Sequence, residues 1–103
     1  MNNQEIAEVL EHTARLMLLH DENPFKAKSY QSAAFKLERL QQDLTGKSIT
    51  ELEQVDGIGK SLSVKIFDLL GKGSFEELER LIKQTPEGVL HMMQIKGIGP
   101  KKV

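Results

Sequence analysis

The chain has 103 residues, which supports one domain of ordinary size. Hydrophobic residues make up 39% and aromatics only 5%, so the core must be built from Leu, Ile, Val, Ala and Met, and without cysteine neither a disulfide nor a thiolate zinc site can staple it. The formal net charge is −1, no apolar run approaches the ~20 residues that span a bilayer, and the start Met1-Asn2-Asn3-Gln4-Glu5 is unlike a signal peptide, so a soluble cytoplasmic protein is the default expectation.

Charge is unevenly spread. Residues 1–22 carry −4 and residues 23–50 carry +3, and the last residues, 96–103, carry +3 again. A local basic face can bind phosphates on a chain that is neutral as a whole.

In chain order, Asn2 or Asn3 caps a first helix. Ile6, Val9, Leu10, Thr13, Ala14, Met17 and Leu18 follow helical spacing, which predicts an amphipathic helix from about residue 3 to about residue 20. Asn23-Pro24, a capping amide before a proline at the first helical position, starts a second helix that runs to about Gln42. Its inner stripe is Tyr30, Ala33, Ala34, Leu37 and Leu40, and its charge comes from Lys26, Lys28, Lys36 and Arg39. Lys26 and Tyr30, four residues apart, share a face and could hold a phosphate from two sides. Thr45-Gly46-Lys47-Ser48 reads as a loop, and Thr50 with Glu53 as a capping box for a short third helix through Gln54. A fourth helix, from about Lys60 to Leu70, buries Leu62, Ile66, Leu69 and Leu70, with Lys65 at the margin of that stripe. Gly71-Lys72-Gly73 ends it. Ser74 with Glu77 forms a second capping box, before a helix with Leu78, Leu81 and Ile82 inward. Thr85-Pro86 caps a last helix carrying Val89, Leu90 and Met93, with Met92 and Met93 as core filler. There is no strand signal, so the expected fold is all-α, a compact bundle of about six short helices.

The stretch Val55-Asp56-Gly57-Ile58-Gly59-Lys60-Ser61, between the third and fourth helices, organises the functional reading. Two glycines around one apolar residue let the backbone turn sharply and approach a ligand. The second glycine opens a helix whose first amides lack intrahelical partners and suit a phosphate. The signature returns at Gly97-Ile98-Gly99-Pro100-Lys101-Lys102. Two nucleotide-cofactor motifs are excluded. A P-loop ending at Gly59-Lys60-Ser61 needs a glycine where Gln54 stands, and a dinucleotide fingerprint needs one where Leu62 stands. His12, His20 and His91 have no metal-site spacing. No aspartate pair is placed to hold two magnesium ions, so Mg2+ chemistry would belong to a following domain and this chain cannot polymerise alone.

Three stretches together carry a resemblance: Asn23-Pro24-Phe25-Lys26-Ala27-Lys28-Ser29-Tyr30 with Ala33-Ala34, the first hairpin through Lys65-Ile66, and Ile95 to Lys102. In this order they resemble the N-terminal helix-hairpin-helix domain of bacterial family X DNA polymerases, a domain like that of DNA polymerase beta. The resemblance implies residues 1–90 as that helical domain, with its first helix-hairpin-helix at about 50–71, and residues 91–103 as the truncated start of a second. Such a cut suggests a piece of a longer protein. It implies sequence-nonspecific binding of gapped or nicked DNA near a 5′-phosphate, in repair synthesis, by a domain that is monomeric in isolation. The implied phosphate contacts are Lys26, Lys28, Tyr30, Gly57, Ile58, Gly59, Lys60 and Ser61, with Gly97, Gly99, Lys101 and Lys102 in the second hairpin. A monovalent cation, Na+ or K+, would sit on the carbonyls of Glu53, Val55 and Ile58, and of Met93, Ile95 and Ile98.

The resemblance also implies a 5′-deoxyribose phosphate lyase whose Schiff-base lysine falls on Lys65. Three departures weaken it. Ser61 stands where the animal enzyme has a phosphate-binding lysine, and Gln31 and Ser32 replace basic residues. The competing structural reading of Lys65 is a helix-edge lysine that snorkels. The competing functional reading of the whole is a protein–protein adaptor without catalysis.

Overall fold

A computed structural model describes residues 2–93; the second hairpin, with Ile95, Gly97, Ile98, Gly99, Lys101 and Lys102, lies outside them. Among the described residues there are six helices and no strand, as expected: α1 (Asn3–Leu19), α2 (Pro24–Arg39), α3 (Ile49–Glu53), α4 (Lys60–Lys72), α5 (Glu76–Lys83) and α6 (Glu87–Met92).

The first two helices form an antiparallel pair that carries most of the core. Asn2 caps α1 in a reciprocal box with Glu5: the Glu5 amide donates to Asn2 Oδ1 at 2.8 Å and the Asn2 amide to Glu5 Oε1 at 2.9 Å. Asp21, at φ +58°, reverses the chain after α1, a conformation that Asp tolerates better than most residues. Asn23 accepts from the Phe25 amide at 2.9 Å and Pro24 opens α2. Ala27, Ala33 and Ala34 leave little side chain between the helices, so Ile6, Leu10, Ala14 and Met17 of α1 pack close against α2.

Several details depart from the expectations. The second helix stops at Arg39 rather than near Gln42, because Leu40 turns extended and its carbonyl, with that of Gln42, accepts from Asn3 Nδ2 at 3.2 and 2.7 Å. The following loop drops Leu44 fully into the core. The cap of α3 is Ser48 with Glu51, not Thr50 with Glu53. That frame gives Leu52 its helical bond to the Ser48 carbonyl at 2.9 Å and buries it. The fourth helix passes through Gly71 and ends at Gly73, φ +84°, whose amide bonds to the Leu69 carbonyl at 2.8 Å.

At α5 the predicted Ser74–Glu77 box is absent. Phe75 occupies the capping position without a side-chain bond, the Ser74 hydroxyl is buried with no partner, and Glu77 points elsewhere. Thr85 does not cap α6 either. Its Oγ1 donates to the Leu81 carbonyl at 2.8 Å and lies 2.7 Å from His20 Nε2. Met92 is exposed rather than core filler, and Val89, Leu90 and Met93 are only half-buried.

Candidate nucleic-acid interface

The turn between α3 and α4 is anchored by its apolar residues. Val55 and Ile58 are buried, and the Ile58 amide donates to the Val55 carbonyl at 3.1 Å. With Ile58 plugged inward, Asp56, Gly57, Gly59 and Lys60 are left exposed. The two glycines differ in kind. Gly57 lies at φ +93°, and a Cβ there would sit 2.5 Å from Cδ of Lys36, whose stem lies across the turn and whose ammonium is 3.3 Å from Asp56. The fold itself therefore needs Gly57. Gly59 has φ −91°, and a Cβ there would meet no atom of the protein within 4 Å. It caps α4 without any side-chain hydrogen bond, so the first amides of that helix have no side-chain cap. A shallow groove joins this turn to α2, lined by Phe25, Lys28, Ser29, Ser32, Gly57 and Leu62.

A second cluster lies where α2, α4 and α5 meet. Tyr30 is buried, its ring 6.4 Å from that of Phe75, and its hydroxyl donates to Glu77 Oε1 at 2.6 Å. Lys26 Nζ lies 2.9 Å from Glu77 Oε2 and Lys65 Nζ 3.7 Å from Glu77 Oε1. Arg80 reaches Glu77 at 3.7 Å and makes a two-pronged pair with Glu22 at 2.9 and 3.0 Å, tying α5 to the loop after α1. Lys65 Nζ also donates to Ser61 Oγ at 3.4 Å. The pocket over this cluster, about 480 Å³, is lined by Lys26, Val64, Lys65, Asp68, Phe75, Glu76, Glu77 and Arg80.

Electrostatics centre on Glu77. Burial pulls its carboxyl upward, but the hydrogen bonds from Tyr30 and Lys26 and the charges of Lys26 and Lys65 outweigh it, so the group lies below its ordinary value. Burial, then the bond to Glu77 and its charge, push the Tyr30 phenol above its ordinary range. The Arg80 guanidinium holds Glu22 low.

The structure thus sorts the predicted residues into two neighbouring groups. Gly57, Ile58, Gly59, Lys60 and Lys28 belong to the turn and its groove. Lys26 and Lys65 line the pocket, with Tyr30 joined to it through Glu77 and Ser61 through Lys65. Sequence reasoning missed Glu77, Arg80 and Glu22 as members of the site. One signal was available: Glu77 is four residues before Leu81 and so shares the inner side of α5.

The residues matched by a family model described as "Helix-hairpin-helix domain" are 1–75, which include α1 to α4 and both sides of the Gly57 turn. The whole chain is also 33% identical over 103 residues to the DNA polymerase/3'-5' exonuclease PolX of Bacillus subtilis (strain 168), and it spans 18% of that protein's length. The chain belongs to the helix-hairpin-helix domain family, a family of DNA-binding domains, and is homologous to part of a family X DNA polymerase.

Proposed function

We propose that this chain is a sequence-nonspecific DNA-binding module that serves repair synthesis in a family X DNA polymerase. The observation that carries the reading is the turn itself: Ile58 is buried, while Gly59 is exposed with no other atom of the protein within 4 Å of where a Cβ would stand, and it caps α4 without a side-chain bond. Amides without a side-chain cap at the positive end of a helix, flanked by Lys28 and Lys60, suit the sugar-phosphate backbone and read no bases. The carbonyls of Glu53, Val55 and Ile58 are hard oxygen donors around the same turn, and we assign them to a monovalent cation that would bridge the turn to a phosphate. Lys26 and Lys65 face one pocket beside the turn, and this pocket takes the 5′-phosphate of a gapped or nicked strand.

On the same reading Lys65 is the candidate lyase nucleophile. Its amine would add to the aldehyde carbon of a 5′-deoxyribose phosphate, water would leave as the imine forms, and loss of a C2′ proton would expel the 3′-phosphate by β-elimination. Ser61 accepts from its amine and Glu77 lies within 4 Å of it.

Lys60→Ala and Lys26→Ala are expected to weaken binding to gapped DNA by about three- to ten-fold each, Lys60→Ala without lowering the melting temperature and Lys26→Ala without unfolding the domain. Unchanged affinity in both would remove the turn and the pocket from the interface. Lys65→Ala is expected to abolish borohydride trapping of a 5′-deoxyribose phosphate strand while binding persists; trapping that survives would move the nucleophile to another lysine.

A further inference from the structure

The pocket that the proposed function assigns to a 5′-phosphate already holds an anion, and that anion belongs to the protein. Tyr30 at 2.6 Å, Lys26 at 2.9 Å, and Lys65 and Arg80 at 3.7 Å all converge on the Glu77 carboxylate. A phenol and three cations around one carboxylate are the donors that a phosphate monoester would recruit. Arg80 is already matched by Glu22, and Asp68 and Glu76 stand at the rim, so Lys26 and Lys65 are the charges an incoming phosphate would have to win from Glu77.

A second feature gives Glu77 another place to go. Ser74-Phe75-Glu76-Glu77 has the spacing of a capping box, in which the serine hydroxyl accepts from the Glu77 amide and the Glu77 carboxylate accepts from the serine amide. The box is unmade: the Ser74 hydroxyl is buried with no partner, and α5 begins one residue late, on a Phe75 cap with no side-chain bond. Buried hydroxyls are nearly always bonded, so this orphan marks an arrangement that α5 would complete by starting one residue earlier, with Phe75 turned helical so that the Glu77 amide reaches the Ser74 hydroxyl and the Glu77 carboxylate the Ser74 amide.

We infer that Glu77 is a two-position switch: in one position its carboxylate occupies the phosphate pocket, and in the other it closes the capping box with Ser74 and vacates the pocket for a terminal phosphate. This rests on the reading of the pocket as a phosphate site. A phosphate monoester carries roughly −1.5 to −2 at neutral pH and three acceptor oxygens, so it outcompetes a single carboxylate for Lys26, Lys65 and Tyr30. The displaced Glu77 is then received by the cap rather than left over the rim. The device makes the pocket answer to a 5′-phosphate and stay shut to weaker anions.

The test compares one-nucleotide-gapped DNA bearing a 5′-phosphate with the same DNA bearing a 5′-hydroxyl, by fluorescence anisotropy, for wild type, Glu77→Gln, Ser74→Ala and Glu79→Gln. Glu79 is exposed on α5 and controls for loss of one negative charge. The ratio of the two affinities is expected to rise about ten-fold in Glu77→Gln, to fall about five-fold in Ser74→Ala, and to stay at the wild-type value in Glu79→Gln. Should Glu77→Gln fold poorly, Glu77→Asp keeps the charge while drawing the carboxylate back from Tyr30, and its ratio is expected to rise by a smaller factor. A wild-type phosphate preference that Glu77→Gln does not increase, or that Ser74→Ala leaves unchanged, would overturn the switch and leave the DNA-binding reading standing. If no variant distinguishes phosphate from hydroxyl, the pocket is not a phosphate site and both readings fall together.

Discussion

The two glycines of the turn look alike in the sequence and carry different burdens. Gly57 is held at φ +93° with the Lys36 stem against it, so Gly57→Ala must strain the backbone and displace Lys36. It is expected to destabilise the domain by about 1–3 kcal/mol in urea unfolding. Gly59 sits at φ −91° in open space, so Gly59→Ala is expected to change stability by less than ~1 kcal/mol. On the proposed function, the same Cβ stands between the α4 amides and a backbone phosphate, so affinity for DNA falls while stability does not. Equal stability losses for the two variants would show that both glycines serve only the turn.

Among the elements, α2, α4 and α5 are joined through one carboxylate. Glu77 lies below its ordinary value when folded, so it binds its proton more weakly there than in the unfolded chain. The stabilisation it supplies is complete above the ordinary carboxylate range and is lost as pH falls through the folded value. Glu77→Gln is therefore expected to lower stability by about 1–2 kcal/mol at pH 7, the exposed Lys26 and Arg80 being screened. Thermal melts at pH 7 and pH 3 should show the gap between variant and wild type narrowing at the lower pH. A gap that widens on acidification would place the linkage elsewhere. At α3 the capping frame is open to a direct check: Ser48→Ala is expected to cost about 1 kcal/mol and Thr50→Ala much less.

How far the sequence reveals these elements depends on the range of the interaction. The apolar spacing of Ile6, Leu10 and Met17, or of Leu62, Ile66 and Leu69, reports contacts one helical turn apart, and those helices are where it puts them. Ser48-x-x-Glu51 and Thr50-x-x-Glu53 are equal as local patterns, and only the burial of Leu52 decides between them. Leu44 and Phe75 enter the core from segments with no periodicity to betray them. The end of α2 is set by Asn3, thirty-seven residues away from Leu40. Lys26 and Tyr30 were legible as neighbours because four residues separate them. Glu77 was not legible as their shared partner, because that contact exists only once α5 has packed against α2.

At the scale of the whole molecule, charge is segregated in a way the net value of −1 conceals. Glu5, Glu8 and Glu11 line one exposed face of α1, while Lys26 and Lys28 lie at the start of α2, towards α4 and the turn. No helix among the described residues is long and apolar enough to cross a membrane. A protein whose basic residues gather beside an open helix N-terminus is expected to bind DNA with a steep dependence on salt, since each phosphate neutralised releases condensed counterions. The most direct measurement is fluorescence anisotropy with one-nucleotide-gapped DNA, with and without a 5′-phosphate, at two salt concentrations. The account predicts salt-sensitive binding to both and tighter binding to the phosphorylated gap. Binding to neither would contradict it and leave the helical surface to a protein partner.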